Sequence, residues 1–319
     1  MNDHLTKQIL DDHFWYFRAS LLAFSSRYLP MVFRTPETIE QHVAYICPLC
    51  LDNYILLIST GVFATCEFSL DHFPPKSVGG RSKILTCKKC NNEAGALYES
   101  ELQKKMEYAA MNVNTQGSYK DTSTQITGIV GNYTSLFKKI EEGKFFLDFP
   151  EKLKKKAPFL KEWIDSGSKS RDWELKLKIN WPNDKKVAKS LLKAAYLICF
   201  VHWGYDFAFH SNASNLLNLL NDNDKDPINL IPFWIDDLGA KETIPLGLCI
   251  IEHPVEMKSI VVNIQLQIEN YLTVASVIIP FANDDGWKKI EATLKFLKDK
   301  SDSDNHVFEI TISIVKQHR

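Results

Sequence analysis

The reading of this 319-residue chain turns on Cys47-Pro48-Leu49-Cys50, on Asp71-His72-Phe73-Pro74-Pro75-Lys76-Ser77-Val78-Gly79-Gly80, and on Cys87-Lys88-Lys89-Cys90-Asn91-Asn92. Two residues between cysteines let both sulfurs of a pair reach one tetrahedral ion through a tight knuckle. Cys47, Cys50, Cys87 and Cys90 together therefore match a four-thiolate Zn2+ site. The 36 residues between the pairs become an excursion pinned at its base. The plainer alternative is a set of buried free cysteines, which two such pairs with turns around them disfavour. Cys66, Cys199 and Cys249 lie in apolar runs and read as core residues. Seven cysteines is an odd count, and the polar start Met1 to Lys7 does not read as a signal peptide. A reducing, cytoplasmic setting is expected, where paired cysteines favour metal over disulfide.

The excursion carries residue types suited to phosphodiester hydrolysis, which needs an activated water, a Lewis acid and a stabilised leaving oxygen. His72 can accept a proton near neutral pH, since an unperturbed imidazole titrates at about 6.5. Asp71 and Asn91 are hard oxygen donors suited to Mg2+ or Mn2+. Adjacent strand residues point to opposite faces, so Asp71 and His72 need a bend to share one site, and Pro74-Pro75 is placed to supply it. Taken alone, the Asp-His pair would read as a surface pair in a loop.

With the cysteines around it, the stretch resembles the zinc-bearing branch of the HNH, or ββα-metal, endonucleases. The resemblance rests on Cys47-x-x-Cys50, Asp71-His72, Pro75, Gly79-Gly80 and Cys87-x-x-Cys90-Asn91, in that order, over about 55 residues. It implies a ββα fold stapled by structural Zn2+, with His72 as general base and Asp71 and Asn91 as ligands of a catalytic Mg2+ or Mn2+. It also implies cleavage of DNA leaving 5′-phosphate ends. The chain departs from the family in the loop before the second cysteine pair. There the family has an Asn that orients the histidine, whereas Arg81-Ser82-Lys83-Ile84-Leu85-Thr86 has none. Ser82 or a backbone carbonyl would have to hold the ring. Asn92 reads as a supporting or capping residue, and Glu99 as a solvated charge more readily than as a ligand.

Charge bears on the partner. The formal charge is −1, so the whole chain exerts no long-range pull on a polyanion. Locally, Lys76, Arg81, Lys83, Lys88 and Lys89 fall between Lys76 and Cys90 with no acidic residue among them. Such residues position a phosphate backbone without reading its sequence. A solvated loop with chance clustering is the alternative. The helix beginning at Cys90 adds the positive end of its dipole.

The expected class is α+β, in three parts: an N-terminal helical segment (1–45), the zinc-stapled HNH module (46–112) and a mixed α+β region (113–319) that selects a target, binds a partner or restrains the nuclease. Periodicity predicts helices over 5–29, 90–111, 151–163, 184–205, 212–220 and 287–298. Strands are predicted at 55–60, 64–70, 125–130, 144–149, 173–180, 228–235, 246–252, 258–267, 271–280 and 307–315, with a polar loop over 114–125. The most apolar run, Leu191 to Trp203, contains Lys193 and is too short to span a bilayer, so no membrane role is expected. His202 and the aromatic residues Trp203, Tyr205, Phe207 and Phe209 read as packing before base stacking. The lysines of 152–161 read equally as a DNA patch or a solvated face.

DNA is the expected partner, with a protein partner or self-association through the C-terminal region besides. Bacterial defence against phage or plasmids follows from the family association alone. Two further readings stand beside the nuclease: a non-catalytic zinc module binding nucleic acid or protein, and a ribonuclease.

Overall fold

The first cysteine pair grows out of strand β1 (Val43–Ile46), which pairs antiparallel with β2 (Tyr54–Ile58), itself paired with β3 (Gly61–Ala64). The structure is a computed structural model. It describes residues 43–58, 61–113, 181–222, 246–253 and 258–280, the strand backbones at 117–126, 133–141, 144–148, 175–179, 233–236 and 311–314, a helical turn at 286–290, and a few single residues. The helices expected at 5–29 and 151–163 lie outside the described residues, as does most of that at 287–298.

A hairpin follows, β4 (Phe68–Phe73) against β5 (Ser82–Cys87), and the chain then enters helix α1 (Lys88–Ala94). Two strands and a helix are thus consecutive, as a ββα unit requires. The Cys87 side chain caps α1 by accepting from the Cys90 N–H, so the second knuckle and the helix start are one structure. The helix passes through a π-helical turn, Gly95–Glu99, into α2 (Ser100–Val113). An extra residue in that turn shifts the helical phase, so Tyr98 is buried and Glu99 half-buried. The hairpin loop holds a single 3-10 turn, Lys76–Val78, and then Gly79-Gly80. A side chain at Gly80 would set its Cβ 1.6 Å from the Pro74 carbonyl oxygen. Gly79 has φ +88 and would meet Gln267. The Gly-Gly pair is what lets this loop close and press on the C-terminal sheet.

That sheet has the order β10 (Phe233–Asp236), β13 (Tyr271–Ile279), β12 (Ser259–Ile268), β11 (Gly247–His253), β14 (Thr311–Ile314), all antiparallel. Both faces are covered. Ile260, Val262, Ile264 and Leu266 of β12 join the main core, while Val261 joins a smaller cluster with Cys249, Ile251, Ile278 and Ile290. Between the sheet and α2 runs α3 (Asp184–Trp203), capped by Asn183 and ended at Gly204, with φ 62. Every residue from Val187 to Leu197 is buried, as expected of a helix enclosed on all sides. A short helical turn, α4 (Tyr205–Ala208), and α5 (Ser211–Asn221) follow. Lys189 is buried, and its ammonium donates to the Leu220 and Asp222 carbonyls at the end of α5.

The α+β class holds. The main core runs without interruption from Tyr45 through Met106 and Leu191 to Ile279, so residues on both sides of position 112 share it. Two expectations need correction. The loop expected over 114–125 is largely strand: β6 (Gly117–Ile126) pairs with β7 (Tyr133–Glu141) and β9 (Leu175–Ile179), and β7 with β8 (Lys144–Asp148). The strand expected at 64–70 is divided, because the chain turns at Thr65–Glu67 from β3 into β4. Among the described residues no helix is long and apolar enough to cross a membrane.

Candidate metal centre and hairpin site

The sulfurs of Cys47, Cys50, Cys87 and Cys90 all lie within 4.8 Å of one another, and the Cys50 and Cys87 sulfurs are 4.0 Å apart. Sulfurs each about 2.3 Å from a tetrahedral zinc are separated by roughly 3.8 Å, so the four fit such an ion. The two knuckles prepare the thiolates. The Cys87 N–H donates to Cys47 Sγ at 3.3 Å and the Cys90 N–H to Cys87 Sγ at 3.4 Å. Asn53, which the sequence reading did not single out, points its amide at Cys50 and Cys87 Sγ (3.5 and 3.6 Å). The Cys47 thiol, first among the causes, pulls the Cys50 thiol down and that of Cys87 down to about 6. Those two favour the thiolate that binds metal, while the shared hydrogen bonds push the Cys47 thiol up and Cys90 also goes up. Four cysteines so placed can hold a metal ion such as zinc.

The first knuckle is clamped by tyrosines. The Tyr205 hydroxyl accepts from the Ile46 N–H (2.7 Å) and donates to the Ile46 carbonyl (2.8 Å). Tyr196 donates to the Pro48 carbonyl (2.9 Å), and Tyr45 donates to the Leu85 carbonyl (2.6 Å). The first two come from α3 and α4, so what reads in sequence as aromatic packing also orders the metal-binding loop. Cys199 and Cys249 are fully buried, as expected of core residues. Cys66 lies half-buried at the β3–β4 turn, packed against the edge of the main core and not enclosed in it.

Asp71 and His72 alternate on β4 in an unbroken register, Asp71 opposite Ile84 and His72 opposite Lys83. No bend falls between them; Pro74 follows the last residue of the strand. Asp71 is therefore buried on the inner face and His72 is half-buried on the outer. Burial first, then the charges of Lys83 and Lys76, hold the His72 imidazole below its ordinary range, against the opposing pull of Asp71. Among the described residues none hydrogen-bonds the His72 ring, Ser82 included. Asn91, in the first turns of α1, turns its amide nitrogen to Ser69 Oγ (2.9 Å) and to the Leu70 carbonyl (3.3 Å). Its Oδ1 remains as the atom able to ligate a cation.

The inner face contains an ionic triad not foreseen in the sequence. Lys193 of α3 places its ammonium 2.6 Å from Asp71 Oδ2 and 2.6 Å from Glu99 Oε1. Thr86 adds a hydroxyl to the same Asp71 oxygen at 3.4 Å. Both the Lys193 and Asp71 side chains are 2% exposed. Burial pushes the Glu99 carboxyl up, and Lys193 opposes this. Glu99 is thus an internal anion, contrary to the expectation of a solvated charge. A divalent ion on Asp71 and Asn91 does not fit this arrangement as it stands, because an ammonium already occupies the carboxylate. The signal in sequence was a lysine inside the most apolar run of the chain.

The five basic residues divide. Lys76, Arg81 and Lys83 are exposed near the His72 end of the hairpin, and Lys88 and Lys89 are exposed at the knuckle. The two ends are four strand positions apart, roughly 13 Å. Lys88 is paired with Glu67 at 2.7 Å. Compared with models of known protein families, with curated proteins and with solved structures, the chain matches none.

Proposed function

We propose that the chain is a zinc-stapled ββα nuclease that hydrolyses phosphodiester bonds of DNA, with His72 as general base. The observation that carries this reading is a junction: Asn91, next to the last cluster cysteine, is hydrogen-bonded to β4 at Ser69 and Leu70, immediately before Asp71-His72. Helix start, knuckle and first strand therefore meet at the residues whose chemistry suits hydrolysis. His72 lies half-exposed between lysines that draw a phosphate, and burial first, then the charges of Lys83 and Lys76, lower its pKa and so favour the neutral imidazole that accepts a proton from water. Lys76, Arg81 and Lys83 would position the backbone, with Lys89 extending the track. The resemblance also implies a catalytic Mg2+ or Mn2+ on Asp71 and Asn91, but the Lys193 ammonium on the Asp71 carboxylate leaves no place for it there. A role in bacterial defence belongs to this proposal through that resemblance only.

The test is nicking of supercoiled plasmid with Mg2+ or Mn2+, beside an EDTA control. His72→Ala should lower the rate by about 10²- to 10⁴-fold, the range for loss of a general base. Equal nicking by both proteins rules out His72 as the base. Single-stranded, duplex and RNA substrates in parallel decide the substrate class, including the ribonuclease alternative.

The pH profile carries a second prediction. A lowered His72 pKa means the neutral base is present already below the usual imidazole range, so the acid limb of kcat/KM should lie below about 6.5. Lys83→Met removes one of the charges that lowers it, and the limb should move up in pH. A limb that stays in place, or moves down, argues against His72 as the titrating group.

A second reading has its own support. The buried, ammonium-bound Asp71 suits a non-catalytic zinc module that binds nucleic acid or a protein. Zinc retained with no cleavage by any variant would favour it.

A further inference from the structure

The ion pair beneath the hairpin bears on what the outer face can do. Lys193 holds its ammonium 2.6 Å from the Asp71 carboxylate, so Asp71 is closed to a divalent ion. The outer face must then balance the charge of a phosphate with its own side chains. His72 and Lys83 are directly opposite across β4 and β5, and opposite residues of an antiparallel pair project from one face with Cβ atoms about 4.5–5.5 Å apart. Lys76 also acts on the imidazole through its charge, and Arg81 follows the Gly79-Gly80 turn. All three cations are exposed, and among the described residues none of them is ion-paired. Lys88 and Lys193, by contrast, each hold a carboxylate. An imidazole beside unpaired cations is thus left without an anion.

With Asp71 closed to a metal ion, the nucleophile decides the substrate. DNA must be attacked by water, which His72 alone would have to activate. RNA carries its nucleophile, the 2′-hydroxyl, next to the phosphorus, and intramolecular attack gains the advantage of proximity. We infer that this face also cleaves single-stranded RNA without a divalent ion, with His72 taking the 2′-hydroxyl proton and Lys76 and Lys83 balancing the charge that builds on the phosphate oxygens. The 2′-oxygen bonds to phosphorus, and the bond from phosphorus to the 5′-oxygen breaks. The proton held by His72 returns through water to that 5′-oxygen. The new ends are a 2′,3′-cyclic phosphate and a 5′-hydroxyl, and no other reactant is consumed. An unpaired strand is required because the 2′-oxygen must come into line with the bond that breaks. The inference rests on His72 as general base, as in the reading above, and adds RNA to DNA as substrate.

The probe is a mixed-sequence single-stranded RNA oligonucleotide, with its DNA and 2′-O-methyl counterparts, given to the full-length protein in buffer stripped of divalent ions. Zinc content and a thermal melt are measured on every protein. The parent should cut the RNA alone, and its products should carry 2′,3′-cyclic phosphate. His72→Ala, prepared in parallel, should be slower by about 10²- to 10⁴-fold. Lys83→Met should be slower by roughly tenfold, less than the loss of a donor in a closed site because water screens an exposed one. Lys83 is exposed, so this second variant keeps the test decisive should His72→Ala not fold. Intact RNA, cleavage that appears only with added Mg2+ or Mn2+, 5′-phosphate ends, or an unchanged rate in either variant overturns the inference. Plasmid nicked with RNA left intact overturns it and keeps the DNA reading, and RNA cut with plasmid left intact does the reverse.

Discussion

Cys47→Ser is expected to yield a chain with no stoichiometric zinc and no cooperative melt, whereas Cys199→Ser should keep one zinc per chain. Cys47 is fully buried, and its sulfur accepts the Cys87 N–H that joins the two knuckles. The residues on either side of it, Ile46 and Pro48, are held by the Tyr205 and Tyr196 hydroxyls. The metal-binding loop is therefore tied into the α3 and α4 core, and its loss reaches that core. Structural zinc contributes about 10–16 kcal/mol in small zinc modules. Whole domains are stable by only about 5–15 kcal/mol, so losing the ion should unfold at least the part of the core built on Tyr45, Ile46 and Leu49. Metal content by mass spectrometry and a chelator titration followed by circular dichroism check this. Full zinc content in Cys47→Ser, or a parent chain unmoved by strong chelator, would contradict the four-thiolate assignment.

The centre was legible in the sequence because its geometry is local. A Cys-x-x-Cys knuckle is set by the backbone of four residues, and Asn91 follows Cys90 directly, so both survive any tertiary arrangement. Strands β12 and β13 were legible for another reason: long β-branched and apolar runs such as Ile260-Val261-Val262 suit a sheet covered on both faces. Strand β6, Gly-Ser-Tyr-Lys-Asp-Thr-Ser-Thr-Gln-Ile, has little apolar content, and its pairing with β7 shifts register between Tyr119 and Thr122, so neither composition nor alternation revealed it. The triad was out of reach because it depends on a contact between residues 94 apart, Lys193 and Glu99. Glu99 reaches it from a π-helical turn that no 3.6-residue periodicity describes. The opposed faces of Asp71 and His72 follow directly from strand alternation. Only the placement of Pro74 after the strand, instead of at a bend within it, required the structure.

Lys193→Met should destabilise the zinc-loaded protein by about 3–5 kcal/mol, the cost of leaving buried charge without its partner. The argument concerns what remains, not what is removed. Methionine fills most of the space of the lysine stem, so little packing is lost and the penalty falls on Asp71 and Glu99, two carboxylates left facing each other. A double-mutant cycle isolates that term. Asp71→Asn alone leaves Lys193 with Glu99 and one fewer charge, and combined with Lys193→Met it removes the opposed pair. The double variant should therefore be less destabilised than the sum of the singles by more than about 1 kcal/mol in urea unfolding with chelator-free, Mn2+-free buffer. Strict additivity would mean that the ammonium and the carboxylate do not act on each other.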